Sequence, residues 1–179
     1  LCWLRHIIVS PQRTVGKIIV LEGPGGVGKT ALVELLHKYL FGEAHSALLP
    51  NTEAITSRFN GAVGNAVVAF IDEGGVGDQK SFNTLKQVTT TDKRQTERKY
   101  HEASPTKAPL NVFFSVNSVE NPLTSHERRY DVFHTNPDVH MECDKPELIE
   151  QCYRFGSLCR DPQRAQRIAV NLAALAVQF

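Results

Sequence analysis

The sequence predicts an α/β fold, a mostly parallel sheet held between helices in three layers. Three observations lead there. Short β-branched apolar runs alternate with helical or loop segments. Each run ends on glycines or polar residues, as strands do when their carboxyl ends carry the ligand-binding loops. The helical segment after the first run keeps its apolar residues on one face.

The elements follow in order. Residues 17–22, KIIVLE, read as a strand buried on both faces, as parallel sheets require. The chain then breaks into glycines and resumes as a helix over 29–41, with Leu32, Leu35, Leu36, Tyr39 and Leu40 on one side. Between Phe41 and Ala66 there is room for one small strand and one helix. A second strand, AVVAFI over 66–71, ends on Asp72 and Glu73. A third, LNVFFSV over 110–116, ends on Asn117, and a shorter one over 130–134 follows Arg128 and Arg129. Asp144 with Pro146, and Asp161 with Pro162, each pair an acidic cap with an early proline and so open two final helices. In the second of these, Ala165, Ile168, Ala169, Leu172, Leu175, Ala176 and Phe179 form a stripe whose ordinary use is core packing.

Composition bounds the function classes. The chain has 179 residues, 41% of them apolar and 22% charged, the balance of an ordinary globular domain rather than a disordered or fibrous chain. No apolar run approaches the roughly 20 residues of a membrane span. A net charge of +1 makes no global case for nucleic acid, so any such surface has to be local. Cys2, Cys143, Cys152 and Cys159 match no common metal frame, even with His134 and His140 near Cys143, and are expected to be reduced thiols of an intracellular protein. The chain starts on Leu1 rather than Met, which suggests a piece of a longer protein.

The most specific motif is GPGGVGKT, Gly23, Pro24, Gly25, Gly26, Val27, Gly28, Lys29 and Thr30. It meets every fixed position of G-x-x-x-x-G-K-[ST], between a strand and a helix. Glycines let backbone N–H groups turn inward around a polyphosphate, and the helix that follows presents its positive end. Lys29 can then reach the β- and γ-phosphates and the Thr30 hydroxyl can ligate Mg²⁺, which predicts an ATP site. Asp72, at a buried strand end, is suited to hold Mg²⁺ through water, and Glu73 to act as general base on the attacking water. The Asp-Glu pair favours hydrolysis over simple nucleotide holding. Asn117 can orient that water, although strands also end in Asn for turn reasons. Arg128 or Arg129, delivered to the γ-phosphate of a neighbouring subunit, would accelerate turnover by about 10³- to 10⁵-fold; a surface pair held by Asp131 or Glu127 is the competing use.

The order WLRHIIVSPQ, GKIIVLEGPGGVGKTALVELLHKYL, AVVAFIDEGG, LKQVTTTDKRQTERKYHEASPTKAPLNVFFSVNS and ERRYDVF resembles a superfamily 3 helicase. The likeness is to the helicase domains of phage and large-DNA-virus primase–helicases and primase-polymerases. That resemblance implies a P-loop NTPase sandwich of AAA+-like type, with a motor over 1–140 and a C-terminal helical appendage over 141–179. It implies that Gly28, Lys29 and Thr30 bind ATP and Mg²⁺, that Asp72 and Glu73 are the metal and water acids, that Asn117 is a sensor, and that Arg128 or Arg129 is a finger acting in trans. It further implies a homo-oligomeric ring, a hexamer, engaged on single-stranded DNA or RNA, coupling ATP hydrolysis to translocation or unwinding. An upstream primase or polymerase domain, and a site of action in the host cytoplasm or nucleus during viral or phage replication, come with it.

The family places its DNA-handling hairpin between the acids and Asn117. Over 86–107 six basic residues (Lys86, Lys93, Arg94, Arg98, Lys99 and Lys107) face three acidic ones (Asp92, Glu97 and Glu102), a local charge of +3. Lys93, Arg94, Arg98, Lys99 and His101 are the expected nucleic-acid contacts, with Tyr100 available to lie against a sugar or base; an ordinary solvated loop of mixed charge is the alternative. Three other functions stay open: a signal-transduction ATPase switch, a nucleoside or nucleotide kinase, and a nucleic-acid clamp that binds ATP without useful turnover.

Overall fold

The computed structural model describes residues 1–56, 63–72, 79–90, 94–96, 104–106, 110–117, 128–136, 138 and 146–178. Helix α1 (Cys2–Val9) leads into β1 (Ile18–Glu22), and α2 (Lys29–Leu35) continues as a π-helical segment over Leu36–Phe41. Next come β2 (Ser46–Leu49), α3 (Glu53–Thr56), β3 (Val68–Asp72) and α4 (Gln79–Val88). Then follow β4 (Arg94–Thr96), β5 (Ser104–Thr106), β6 (Asn111–Val116), β7 (Tyr130–His134), α5 (Pro146–Arg160) and α6 (Pro162–Gln178).

Five strands form one sheet in the order β2-β3-β6-β1-β7. Every neighbouring pair is parallel, so the sheet is wholly rather than mostly parallel. All six residues of β6 are buried, the polar Asn111 and Ser115 included, as befits a central strand covered on both faces. On one face Ile18, Val20, Ala69, Ile71, Val112 and Phe114 pack with Ile55 of α3 and Leu85 of α4. On the other, Val68, Phe70 and Phe113 pack with Ile7 of α1, Val33 and Leu35 of α2, and Cys159 of α5. Helices therefore cover both faces, as the alternation predicted. Among the described residues, no helix is long and apolar enough to cross a membrane.

Three of the expected strands, β1, β3 and β6, begin one or two residues later than hydropathy suggests, while β7 spans 130–134 as expected. Lys17 lies just before β1, and its ammonium donates to the Arg128 carbonyl and the Asp131 carboxylate, each at 2.7 Å. Ala66 and Val67 lie in the approach to β3, where the Val67 N–H donates to the His45 carbonyl. Among the described residues, the connection after Phe41 holds β2 and α3, the small strand and short helix expected there.

The π-helical segment departs from the regular helix expected over 29–41. Within it His37 is buried, with Nδ1 2.8 Å from the Ser46 hydroxyl on β2. Burial pushes the His37 pKa below its ordinary value, against a smaller upward pull from Glu43 and Glu34. The unfolded chain therefore takes up a proton more readily than the folded one. The stability that neutral His37 contributes is complete above about pH 6.5 and is lost as pH falls through the depressed folded value. Thermal melts between about pH 8 and about pH 5 should show Tm falling on the acid side. His37→Gln should flatten that fall, and an unchanged slope in the variant would assign the effect to other groups.

The last two helices complete the α1 and α2 side of the sheet. Asp161 Oδ1 accepts the N–H groups of Gln163 and Arg164, capping α6 as the acidic-cap reading predicts. Ala165, Ala169 and Ala176 are buried, and Ile168 and Leu172 pack against the core. Leu175 of the predicted stripe is instead exposed, and Phe179 lies outside the described residues. Burial raises the pKa of the Cys159 thiol, as expected of an inert structural cysteine.

Candidate functional site

Because all five strands run the same way, the residues that follow them gather at one edge of the sheet. Gly23 follows β1, Asp72 ends β3, Asn117 follows β6 and Thr135 follows β7. The Gly23 N–H donates to the Val116 carbonyl, which closes the end of β1 onto β6 and brings Asn117 alongside the glycine-rich loop. The Thr135 N–H donates to the Glu22 carbonyl and closes the other side.

The loop from Gly23 to Gly28 turns through two left-handed residues, Gly26 at φ 83° and Gly28 at φ 92°. Gly28 is the N-cap of α2, and a side chain there would be strained by the positive φ and would meet the Phe155 ring at 3.3 Å. Beneath the loop lies Lys29, only 7% exposed. Its ammonium donates to the carbonyls of Gly23 and Pro24, each at 2.7 Å, and to Asn117 Oδ1 at 3.0 Å. A buried cation is stable only when so surrounded. The arrangement holds a positive charge at the floor of the loop, with Thr30 next in the helix and exposed.

Asp72 stands in register with Ser115 of β6, and Ser115 with Leu21 of β1. It shares its face with Val68 and Phe70, the face that α2 covers. Asp72 Oδ1 and the Ser115 hydroxyl are both buried without a hydrogen-bond partner among the described residues. A desolvated carboxylate oxygen left so is costly unless water or a cation completes it. The donor chemistry here, one carboxylate and hydroxyls rather than thiols or imidazoles, fits a hard, oxygen-loving cation that keeps most of its own waters.

Of the residues singled out in the sequence, the structure brings together Gly23, Pro24, Gly25, Gly26, Val27, Gly28, Lys29, Thr30 and Asn117, with Asp72 on the neighbouring strand end. It does not bring Arg128 and Arg129 to them. The two arginines precede β7, and Tyr130 is in register with Ile18, at the end of β1 opposite the loop. They therefore lie a strand's length away, about 16 Å at roughly 3.3 Å per residue. Asp131 pairs with Lys17 at 2.7 Å, and among the described residues neither arginine shares it. Strands β4 and β5 form an antiparallel pair in the register Arg94↔Thr106, Gln95↔Pro105 and Thr96↔Ser104. Glu73, Lys93, Arg98, Lys99, Tyr100 and His101 lie outside the described residues, and for Arg94 only the backbone is described.

One wall of the site was missed in the sequence. A cleft of about 250 Å³ opens beside the loop, lined by Gly25, Gly26, Lys29, Thr30 and Asn117 on one side and by Cys152, Tyr153, Gly156 and Arg160 of α5 on the other. A sequence signal was present in Gly156, an isolated glycine inside a helical pattern and far from either end. Such a residue costs helix stability and calls for a reason.

Residues 21–129 match the model of a family of unknown function, DUF5906. No curated protein matches the chain. Among solved structures it is similar to apo structures of the C-terminal region of NrS-1. The A form gives a TM-score of 0.65 at 22% identity over 93% of this chain and 39% of that one. A second A-form structure gives 0.61 at 22% identity over 86% and 37%, and a third apo structure 0.64 at 20% identity over 96% and 46%. The chain thus spans less than half the length of these structures, and at such identities the likeness is one of fold.

Proposed function

We propose, taking as premise that this chain belongs to the DUF5906 family of unknown function, that it is a P-loop ATPase of AAA+-like type and the motor of a ring-forming replicative helicase. The observation that carries the nucleotide half is the buried Lys29 ammonium under a loop with two left-handed glycines, beside Asn117. Loops of this kind take a polyphosphate on their backbone N–H groups, with the lysine as a point charge.

The reading assigns a role to each residue. The phosphate tail lies in the loop, and Lys29 exchanges its loop carbonyls for phosphate oxygens. The Thr30 hydroxyl and Asp72 would hold Mg²⁺, which suits the orphaned Asp72 oxygen. When bound, Mg²⁺ supplies charge neutralisation at the phosphates. Glu73, next to Asp72, takes a proton from the attacking water, and Asn117 orients that water. Arg128 and Arg129, a strand's length from the loop of their own subunit, would serve a neighbour's site, which is the reason for a ring, by resemblance a hexamer. The β4–β5 pair within the basic 86–107 segment supports a hairpin that meets single-stranded DNA or RNA through its phosphates. Upstream primase or polymerase activity, and a role in viral or phage replication, follow from the same resemblance.

The test is ATP hydrolysis by the purified chain, with and without single-stranded DNA, at several protein concentrations and two salt concentrations. Turnover that rises with DNA and with protein concentration, and whose DNA stimulation fades with salt, is expected of a ring motor. Turnover indifferent to both sinks the helicase reading and leaves an ATPase or nucleotide switch. Glu73→Gln is expected to retain ATP binding while losing about 10²- to 10⁴-fold in hydrolysis, the usual worth of general base catalysis. Normal turnover in that variant would remove Glu73 as the base.

A further inference from the structure

The phosphate loop accounts for only one side of the cleft. Its other side is a face of α5 on which Tyr153, Gly156 and Arg160 recur at the three- and four-residue spacing of one helical surface. Phe155 seats that helix against the N-cap of α2, its ring 3.3 Å from where a Cβ on Gly28 would stand. The position of α5 relative to the loop is therefore set by packing.

The chemistry and shape of this face suit an occupant. Gly156 is buried, yet a Cβ built on it meets nothing within 4 Å, so the glycine borders open space rather than a packed neighbour. Among the described residues, no close helix–helix contact, the common reason for a mid-helix glycine, is made at Gly156. Tyr153, one turn away, is 63% exposed and lines the same space. Arg160 adds a second cation to the cleft beside Lys29, which suits an anionic ligand. The enclosed volume of about 250 Å³ lies below the roughly 300–1,000 Å³ of a site that engulfs a whole ligand. It suits part of one, with the rest in the loop.

We infer that the α5 face is the nucleoside wall of the site: the base of a nucleoside triphosphate lies over Gly156 and stacks on Tyr153, while its phosphates occupy the loop. This inference rests on the nucleotide reading of the loop. Stacking on an aromatic side chain is tolerant of base identity and changes affinity by about tenfold or more.

The experiment compares ATP with inorganic tripolyphosphate, each with Mg²⁺, by titration calorimetry on the purified chain and on two variants. Wild type is expected to bind ATP more tightly than tripolyphosphate. Tyr153→Ala, at an exposed position, and Gly156→Leu, which fills the open space, should each weaken ATP by about tenfold or more and erase that preference. Tripolyphosphate binding should persist in both, which also reports an intact loop and fold. A preference for ATP that survives in both variants overturns the α5 wall while leaving the loop reading standing. Equal wild-type affinity for ATP and tripolyphosphate overturns it as well. A wild-type chain that binds neither probe overturns the loop reading, and the inference with it.

Discussion

Replacing Lys29 with Ala is expected to abolish ATP binding while leaving the fold intact. The ammonium is buried and held by two loop carbonyls and the Asn117 amide oxygen; in the function proposed above, a polyphosphate replaces those partners. Hydrogen bonds to charged groups contribute about 1.5–3 kcal/mol each. Losing two of them to phosphate would weaken ATP by about 10²- to 10⁴-fold. Stability should change far less, because the substitution also removes a cation that is costly to keep out of water. The measurement is ATP titration beside a thermal melt, with Lys29→Met as a control that retains most of the apolar stem. Loss of binding with an unchanged melt supports the phosphate role. A melt that collapses in both variants would make Lys29 a structural strut, and undiminished binding would remove it from the site.

The second large effect is expected at Gly23, and it is a packing effect rather than a conformational one. A Cβ on Gly23 would overlap Thr135 Oγ1 and stand 2.8 Å from Thr135 Cβ and Cγ2. Thr135 cannot retreat freely, because its N–H is bonded to the Glu22 carbonyl at 2.8 Å and so ties the end of β7 to β1. Gly23→Ala should therefore destabilise by about 1–3 kcal/mol, the usual range for overpacking. At roughly 2–4 °C per kcal/mol for a chain of this size, Tm should fall by several degrees. Thr135→Gly in the Gly23→Ala background should restore part of the loss, because it removes all three clashing atoms. A double variant no more stable than Gly23→Ala would show that the loop rather than Thr135 resists the methyl group. The first glycine of the motif thus answers to a strand more than a hundred residues away in the chain.

The elements that were legible in the sequence are those set by local rules. The runs at 18–22 and 130–134 form strands because β-branched and aromatic side chains suit a pleated sheet surface, in the interior for β1 and at the half-exposed edge for β7. The cap at Asp161 is legible because one side chain bonds the backbone two and three residues on. Gly28 was legible because its left-handed backbone excludes other residues. The π-helical segment was not, since it depends on His37 meeting Ser46 on a different element.

Taken by itself, then, the sequence determined the alternation of strands and helices, the glycine loop, and the clustering of Asp72, Asn117 and that loop at one sheet edge. That last step follows because parallel strands point their carboxyl ends the same way. Only the tertiary structure decided which groups meet there. The strand order β2-β3-β6-β1-β7 sets Asn117 against Lys29 and Thr135 against Gly23. The same parallel rule puts Arg128 and Arg129, which precede β7, at the opposite end of the sheet. The packing of α5 on α2, through Phe155, supplies the wall of Tyr153, Gly156 and Arg160. Hydropathy periodicity records that a helix face is buried or wet, but not which element lies across from it. That choice is made by the apolar surface the whole chain can bury at once.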